Sequence, residues 1–360
     1  MTDVYQRLAK KLDDLPNGFP PTESGIELKI LQKIFEPEEA EMALKMRPMP
    51  ETTEAISERL GIPVDEMQSI LDNMVKKGQI GSANMKGNQV YMLFPFVFGI
   101  FEFQLNRMDK ELSDMMEEYG PTFMKTLGGT KPEFMRVVPV SDQIKAEHQV
   151  SSYEDLKQMM EKAKSFQVME CICRKEQALQ GHPCKHPSTE VCLGFASHEN
   201  AFDRYPMGRI ISRDEAFDVL RKADEEGLVH QSYNVKSGQM FVCNCCDCCC
   251  GVIRGLKKFG APHLMAKSHF VAAIDQDACE QCGVCADERC PMDAIEQRDD
   301  DSYHVIYERC IGCGVCTTTC PTEAIQLQRK PESEREEPAE NLVDWYFKKA
   351  ASRGKSLIIE

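Results

Sequence analysis

Residues 1–170 contain no cysteine, although the chain of 360 residues carries 18. Tryptophan occurs once, and no apolar run approaches the ~18 residues that a membrane-spanning helix needs. The longest such run, 90-VYMLFPFVFGIF-101, is broken by Pro95 and Gly99. A Gly-rich dinucleotide fingerprint is also absent, so the sequence gives no support for bound NAD or flavin. Positive charge is in deficit. A net charge of −15 disfavours nucleic acid and anionic membranes as partners and favours a basic protein partner or none. The opening MTDVYQRLAKKLDDL is charged throughout and unlike a signal peptide, so the expectation is a soluble cytoplasmic protein. In a reducing compartment this many cysteines argue for metal ligation over disulfides.

The thiols fall into three groups. The densest is 241-FVCNCCDCCCG-251, with six cysteines in eight positions. Neighbouring cysteines point their sulfurs apart and close only strained rings, which makes disulfides a poor explanation. Cys243, Cys246 and Cys249 instead make C-x2-C-x2-C, and Cys245 and Cys248 place a second C-x2-C inside it. One short loop can turn several of these thiolates toward a shared metal centre.

The most specific signal is a duplication, 279-CEQCGVCADERCP-291 and 310-CIGCGVCTTTCP-321. The second copy reads C-x2-C-x2-C-x3-C-P, a bacterial ferredoxin pattern whose fourth cysteine ligates the other cluster. Cys279, Cys282, Cys285 and Cys320 are therefore expected to bind one [4Fe–4S] cluster, and Cys310, Cys313, Cys316 and Cys290 a second. Gly283, Gly312 and Gly314 leave room for backbone amides to approach the sulfides. Two zinc sites are the competing reading, and the duplicated spacing with its prolines favours clusters. The first copy departs from the pattern. Four residues, Ala-Asp-Glu-Arg, separate Cys285 from Cys290 where three are expected, so a local bulge is required.

The remaining group is 168-VMECICRKEQALQGHPCKHPSTEVCLGF-195, with Cys171, Cys173, Cys184 and Cys192 on an irregular loop. These four are candidates for a third cluster, and a subset of Cys243, Cys245, Cys246, Cys248, Cys249 and Cys250 for a fourth. Mixed ligation across the two loops is equally open. So are unligated core thiols and a non-cubane centre that performs chemistry. His182 and His186 lie in the first loop, but thiolates are in surplus there and the histidines are read as loop residues. A helix over 151–165, capped by Ser151 or Ser152, precedes this loop. A capping box at Ser212 opens a helix over 213–226 that Gly227 stops. A β-hairpin over 228–244 then delivers the dense cysteine run.

The cysteine-free front shows helical spacing at 26–35, 37–46, 51–61 and 63–78, followed by a hairpin around Lys86-Gly87-Asn88. Helix, helix, hairpin is the order of a winged helix–turn–helix. Its second helix opens Val64-Asp65-Glu66 and carries Asp72, with only Lys76, Lys77 and Lys86 to offset them, so a docking role is preferred to DNA binding. The segment 94–120 reads as an aromatic-rich connection together with the long helix it runs into, of core or interface character.

With these motifs together, the sequence resembles a family of anaerobe 4Fe-4S ferredoxin-type proteins. The likeness rests on a winged-helix-like N-terminus, 171-CICR-174 with 181-GHPC-184 and 192-CLGF-195, the run 243-CNCCDCCC-250, and the two-cluster C-terminal domain. It implies electron transfer and leaves the partner open. The fold class expected is α+β. A winged-helix-like and helical docking domain occupies 1–135, a cysteine-rich Fe–S domain 136–265 and a dicluster ferredoxin domain 266–330. A charged linker and C-terminal helix complete the chain at 331–360. The functional expectation is a multi-cluster electron carrier or redox-complex subunit that binds two [4Fe–4S] clusters and one or two further centres. A redox-sensing regulator and an oxidoreductase with a catalytic middle cluster are the alternatives. Partners expected are a redox protein and, through the C-terminal helix, a second copy; membrane insertion is not expected.

Overall fold

The computed structural model describes residues 3–85, 87–140, 151–204 and 207–356; Lys86, in the expected hairpin turn, lies outside them. The front is helical where the apolar spacing requires it, with helices at Val4–Asp14, Ile26–Ile34, Pro37–Lys45, Thr53–Leu60 and Val64–Lys76. Thr52 accepts a hydrogen bond from the Ala55 amide at the start of the fourth, and Gly61 ends it in a left-handed turn at φ 68°. Asn88–Met92 pairs antiparallel with both Gly81–Met85 and Glu51–Thr52, making a three-stranded sheet beside these helices.

A long helix follows at Lys110–Leu127 and runs through Gly120-Pro121, beyond the end expected at 120. Pro121 removes one backbone donor there. Phe123 and Leu127 lie past it and are buried, and Phe123 packs on Tyr119 and Phe96, so apolar burial carries the helix through the proline.

Seven strands make the central sheet. Their spatial order is Met265–Ala266, Met135–Val138, Val229–Tyr233, Phe241–Cys245, Glu190–Ala196, Ser165–Glu170 and Arg209–Ile211. The expected hairpin supplies its centre, with Val229 opposite Cys245 and Gln231 opposite Cys243. The expected helix over 151–165 is shorter, at Leu156–Met160. Its cap is Asp155 and not a serine, because the Asp155 carboxylate accepts from the amides of Lys157 and Gln158. The ferredoxin segment adds two ladders, Phe270–Ile274 with Ile325–Arg329 and Ile295–Gln297 with Tyr303–Val305. No helix among the described residues is long and apolar enough to cross a membrane.

The segment 331–341 reads as a solvated linker from its charge, yet it is held. Buried Arg136 donates to the Glu336 carbonyl at 2.7 Å and to Asn234 Oδ1 at 3.0 Å. Ala339 also forms a bridge to Val235. The helix Leu342–Ser352 then docks on this same chain. Its Trp345 is 1% exposed, stacks edge-on against Phe134 and donates from Nε1 to the Glu133 carbonyl at 2.7 Å. One turn on, buried Lys349 donates to the carbonyls of Leu127 and Thr130.

Two outcomes follow for this helix. Trp345→Ala is expected to cost about 3–5 kcal/mol of docking stability, measured as a shift in denaturant midpoint under anaerobic conditions. Burial lowers the Lys349 ammonium from its usual range to about 8. In the pH window from 8 to 10.5 the unfolded chain therefore holds a proton that the folded chain has released. Stability then rises with pH across that window. The denaturation midpoint followed by Trp345 fluorescence should show this rise, and Lys349→Met should remove that part of it.

Candidate iron–sulfur centres

The C-terminal duplication builds two concavities. Cys279, Cys282, Cys285 and Cys320 line one, together with Ile274, Tyr303 and Ile325. Cys290, Cys310, Cys313 and Cys316 line the other, together with Ala272, Val305 and Leu327. Each half therefore gives its fourth cysteine to the other's concavity, as the spacing predicts. The extra residue in the first copy is taken up as a wide π-type turn over Cys285–Arg289, where the second copy makes a tight 3-10 turn over Val315–Thr317. Cys290 still reaches the second concavity. Gly312 sits at φ 68°, and a Cβ there would come within 2.1 Å of the Phe270 carbonyl oxygen, so the loop needs glycine for both conformation and clearance.

The chemistry of these walls fits a cluster. The Ala272 amide points at Cys310 Sγ at 3.5 Å and the Ala294 amide at Cys290 Sγ at 3.2 Å, donors that stabilise thiolate. Burial pushes the Cys285 thiol up to about 11 and the Cys313 thiol up to about 12. Without a cation these two thiols stay protonated at neutral pH. Iron has to displace those protons and compensate the charge. The two sites differ in exposure. Cys282 is exposed and its three companions half-buried, whereas Cys310, Cys313 and Cys316 are buried.

Inward from the second site lies the rest of the molecule. Ile311, Cys313 and Val315 share a buried cluster with Val235, Ile253 and Cys250, and the Val140 amide donates to the Cys313 carbonyl at 3.0 Å. Arg289 donates to the carbonyls of Asp224 and Glu225 and to Thr318 Oγ1. Lys257 pairs with Asp293 at 2.6 Å.

The ten middle cysteines are sorted by the sheet and not by sequence proximity. Cys184, expected with Cys171, Cys173 and Cys192, meets Cys246, Cys248 and Cys249 instead, and these four sulfurs all lie within 4.8 Å of one another. The cause is strand pairing. Cys192 in Glu190–Ala196 sits opposite Cys243 in Phe241–Cys245, with the sulfurs 4.0 Å apart, while the loop carrying Cys184 folds over the turn that follows the strand. Hydrogen bonding to Cys192, with burial, raises the Cys243 thiol; Cys243 acts likewise on Cys245, and Cys245 on Cys250. Cys171 and Cys173 are hydrogen-bonded neighbours at the start of the helix Ile172–Leu179. His182 is exposed, and His186 Nε2 lies 3.9 Å from Asp247 Oδ1.

Sequence reasoning passed over three charged residues beside these thiols. Arg174 is buried, and its guanidinium lies in the field of Cys246, Cys184 and Cys171. Burial raises the carboxyls of Glu102 and Glu176 to about 8. A basic residue in the run 171-CICR-174 was a readable signal for Arg174. Glu102 carried none, since only the fold brings the 94–105 segment to the cysteines.

Paired cysteine loops, each giving its fourth cysteine to the other's concavity, are the arrangement of a two-cluster iron–sulfur domain. Comparison agrees: the family described as the 4Fe-4S dicluster domain matches residues 272–327. Pyruvate synthase subunit PorD of Methanothermobacter marburgensis is 34% identical over 61 residues, 17% of this chain and 69% of the relative. Electron transport protein HydN of Escherichia coli is 32% identical over 71 residues, 19% of this chain and 40% of the relative. Archaeal-type glutamate synthase [NADPH] of Dehalococcoides mccartyi is 31% identical over 90 residues, 24% of this chain and 18% of the relative. The chain thus spans well under half of two of these three relatives. No solved structure matches it. Through this domain the chain belongs to the 4Fe-4S dicluster ferredoxin family and binds two [4Fe–4S] clusters.

Cys316→Ala is expected to remove one of them, lowering iron by about four atoms per chain in anaerobically reconstituted protein. Cys282→Ala should do the same at the other site and leave the Cys316 site's EPR signal in place.

Proposed function

We propose that this chain is a multi-cluster electron carrier or redox-complex subunit in which the C-terminal domain exchanges electrons with a partner and passes them toward the middle domain. When bound, [4Fe–4S] clusters supply one-electron acceptors whose potentials the protein sets through charge, hydrogen bonds and burial. Cys279, Cys282, Cys285 and Cys320 would hold the outer cluster, and Cys290, Cys310, Cys313 and Cys316 the inner one. The observation that carries the reading is the gradient of exposure between them: the first set opens at the surface, whereas Cys310, Cys313 and Cys316 of the second are buried and Cys313 packs into the main core. Among the relatives, one is by name an electron transport protein and one a pyruvate synthase subunit.

The residues around the outer site give it a face. Glu280, Asp287 and Glu288 lie on or beside its loop, and Asp299, Asp300 and Asp301 form a charged turn nearby, so a basic partner surface is favoured. Arg289 ties the inner site to Asp224 and Glu225. Its positive charge makes reduction there easier, while the carboxylates oppose reduction at the outer site. Cys171, Cys173, Cys192, Cys243, Cys245 and Cys250 would hold a further centre at the inner end of the route. Half-buried Glu102 and buried Glu176 beside those thiols favour, as a second reading, proton-coupled chemistry at that centre.

The front would be a docking module with a winged-helix-like arrangement. Its second helix presents Asp65 and Glu66 at its start, and Asp72 is engaged by Arg204 at 3.2 Å, a pairing that does not suit DNA contact. A nanomolar duplex footprint with a steep salt slope would favour the regulator instead.

Anaerobic redox titration with EPR tests the main reading. The expected result is more than about 8 irons per chain and midpoints on the order of −400 mV for both C-terminal clusters, the inner above the outer. Arg289→Gln should lower the inner midpoint alone. Midpoints above about −200 mV, or no more than about 8 irons after full reconstitution, would contradict it.

A further inference from the structure

We propose that Cys184, Cys246, Cys248 and Cys249 form a tetrathiolate site for a single tetrahedral zinc ion and are not cluster ligands. The geometry sets these four apart from every other thiol set in the chain. Cys184 Sγ lies 3.6 Å from Cys246 Sγ and 3.7 Å from Cys248 Sγ, and Cys248 Sγ lies 3.6 Å from Cys249 Sγ. Zinc holds thiolate sulfur at about 2.3 Å, so four sulfurs on a tetrahedron stand about 3.8 Å apart. An iron–sulfur cube interposes four irons and their sulfides between its ligands, which keeps the cysteine sulfurs well beyond a tetrahedral edge. The ferredoxin sets show that contrast within the same molecule. They surround concavities, and among the described residues neither brings its ligand sulfurs together within 4.8 Å. The Cys184 set closes on a point.

The surroundings provide for the charge. Zinc with four thiolates carries two net negative charges, which burial penalises unless they are compensated. Arg174 is only 6% exposed; one of its nitrogens donates to the Ser188 carbonyl, while Nε and Nη2 are buried with no hydrogen-bond partner. Its guanidinium faces the field of Cys246 and Cys184. Backbone amides of His186 and Cys249 donate to the sulfurs of Cys184 and Cys246. Outside the site, Lys185 pairs with Asp247 at 3.1 Å, and His186 lies against the same carboxylate. Such outer partners orient metal-ligand loops.

An all-thiolate tetrahedral set selects zinc or iron, and a closed four-ligand site with no free position is the structural form. The ion would staple the loop around Cys184 to the turn after Phe241–Cys245, the strand that also presents Cys243 and Cys245. It would thereby fix the frame of the six-thiol centre without joining in electron transfer. The inference stands whether or not the electron-transfer reading does, because it concerns a redox-silent metal.

Metal analysis of the full chain, purified anaerobically with zinc and iron both supplied, tests it. The expected result is about one zinc per chain, with X-ray absorption at the zinc edge showing four sulfurs at about 2.3 Å. Cys184→Ser should lower zinc at least about tenfold and leave iron unchanged. Cys248→His, which keeps a zinc-competent Cys3His set, should retain zinc, so loss in the serine variant would not reflect misfolding. Three results would overturn the proposal: no zinc, a loss of about four irons in Cys184→Ser, or a single high-spin ferric ion at the site.

Discussion

Burying thiolate sulfur is the constraint on which the back half of this molecule depends. A thiol out of water resists ionisation, and several together resist it more, since each anion raises the cost of the next. Cys313 and Cys316, and Cys243, Cys245 and Cys250 in the middle group, are all in this position. Only a polyvalent cation close to every sulfur relieves it. The loops, the left-handed glycines and the amides aimed at sulfur are arranged around that need. So is the burial of Arg174, whose charge offsets part of the same negative field.

The second organising feature is directional. The first ferredoxin site is the more exposed, three cysteines of the second are buried, and Cys313 shares a buried cluster with Cys250 of the middle group. Arg289, Lys257 and the Val140–Cys313 hydrogen bond join the ferredoxin domain to the helix Arg213–Glu226, to the helix Gly251–Lys258 that follows Cys250, and to the chain just after the strand Met135–Val138. The C-terminal helix closes over the far side through Trp345 and Lys349. The charged segment that Arg136 grips also meets the ferredoxin domain, where His269 Nε2 lies 3.1 Å from the Glu336 carbonyl oxygen.

The C-terminal cluster loops were legible because their information is local: ligand spacing, the following prolines and the glycines all lie within a dozen residues. The departure at Cys285–Cys290 was also visible, and the π-type turn that absorbs it follows from one added residue in a loop pinned at both ends. Helices of the front were readable from apolar spacing and caps. The partition of the middle ten thiols was not. It depends on Cys192 pairing with Cys243 across two strands, and sequence distance says nothing about that register. The grip on 331–341 was hidden for a similar reason. A charged, proline-containing stretch looks solvated until a buried arginine from a distant strand binds its Glu336 carbonyl. Asp155 took the cap expected of Ser151 or Ser152 because the chain turns through Ser152–Glu154 before the helix begins.

The inward route from the outer cluster to the middle thiols is the central claim, and rapid freeze-quench EPR tests it most directly. Anaerobic protein mixed with a reduced protein donor should show the C-terminal clusters reduced first and the middle centre after them. Disrupting the inner site through Cys313→Ala should slow reduction of the middle centre by at least tenfold. Reduction of the middle centre at an unchanged rate in that variant would contradict the account.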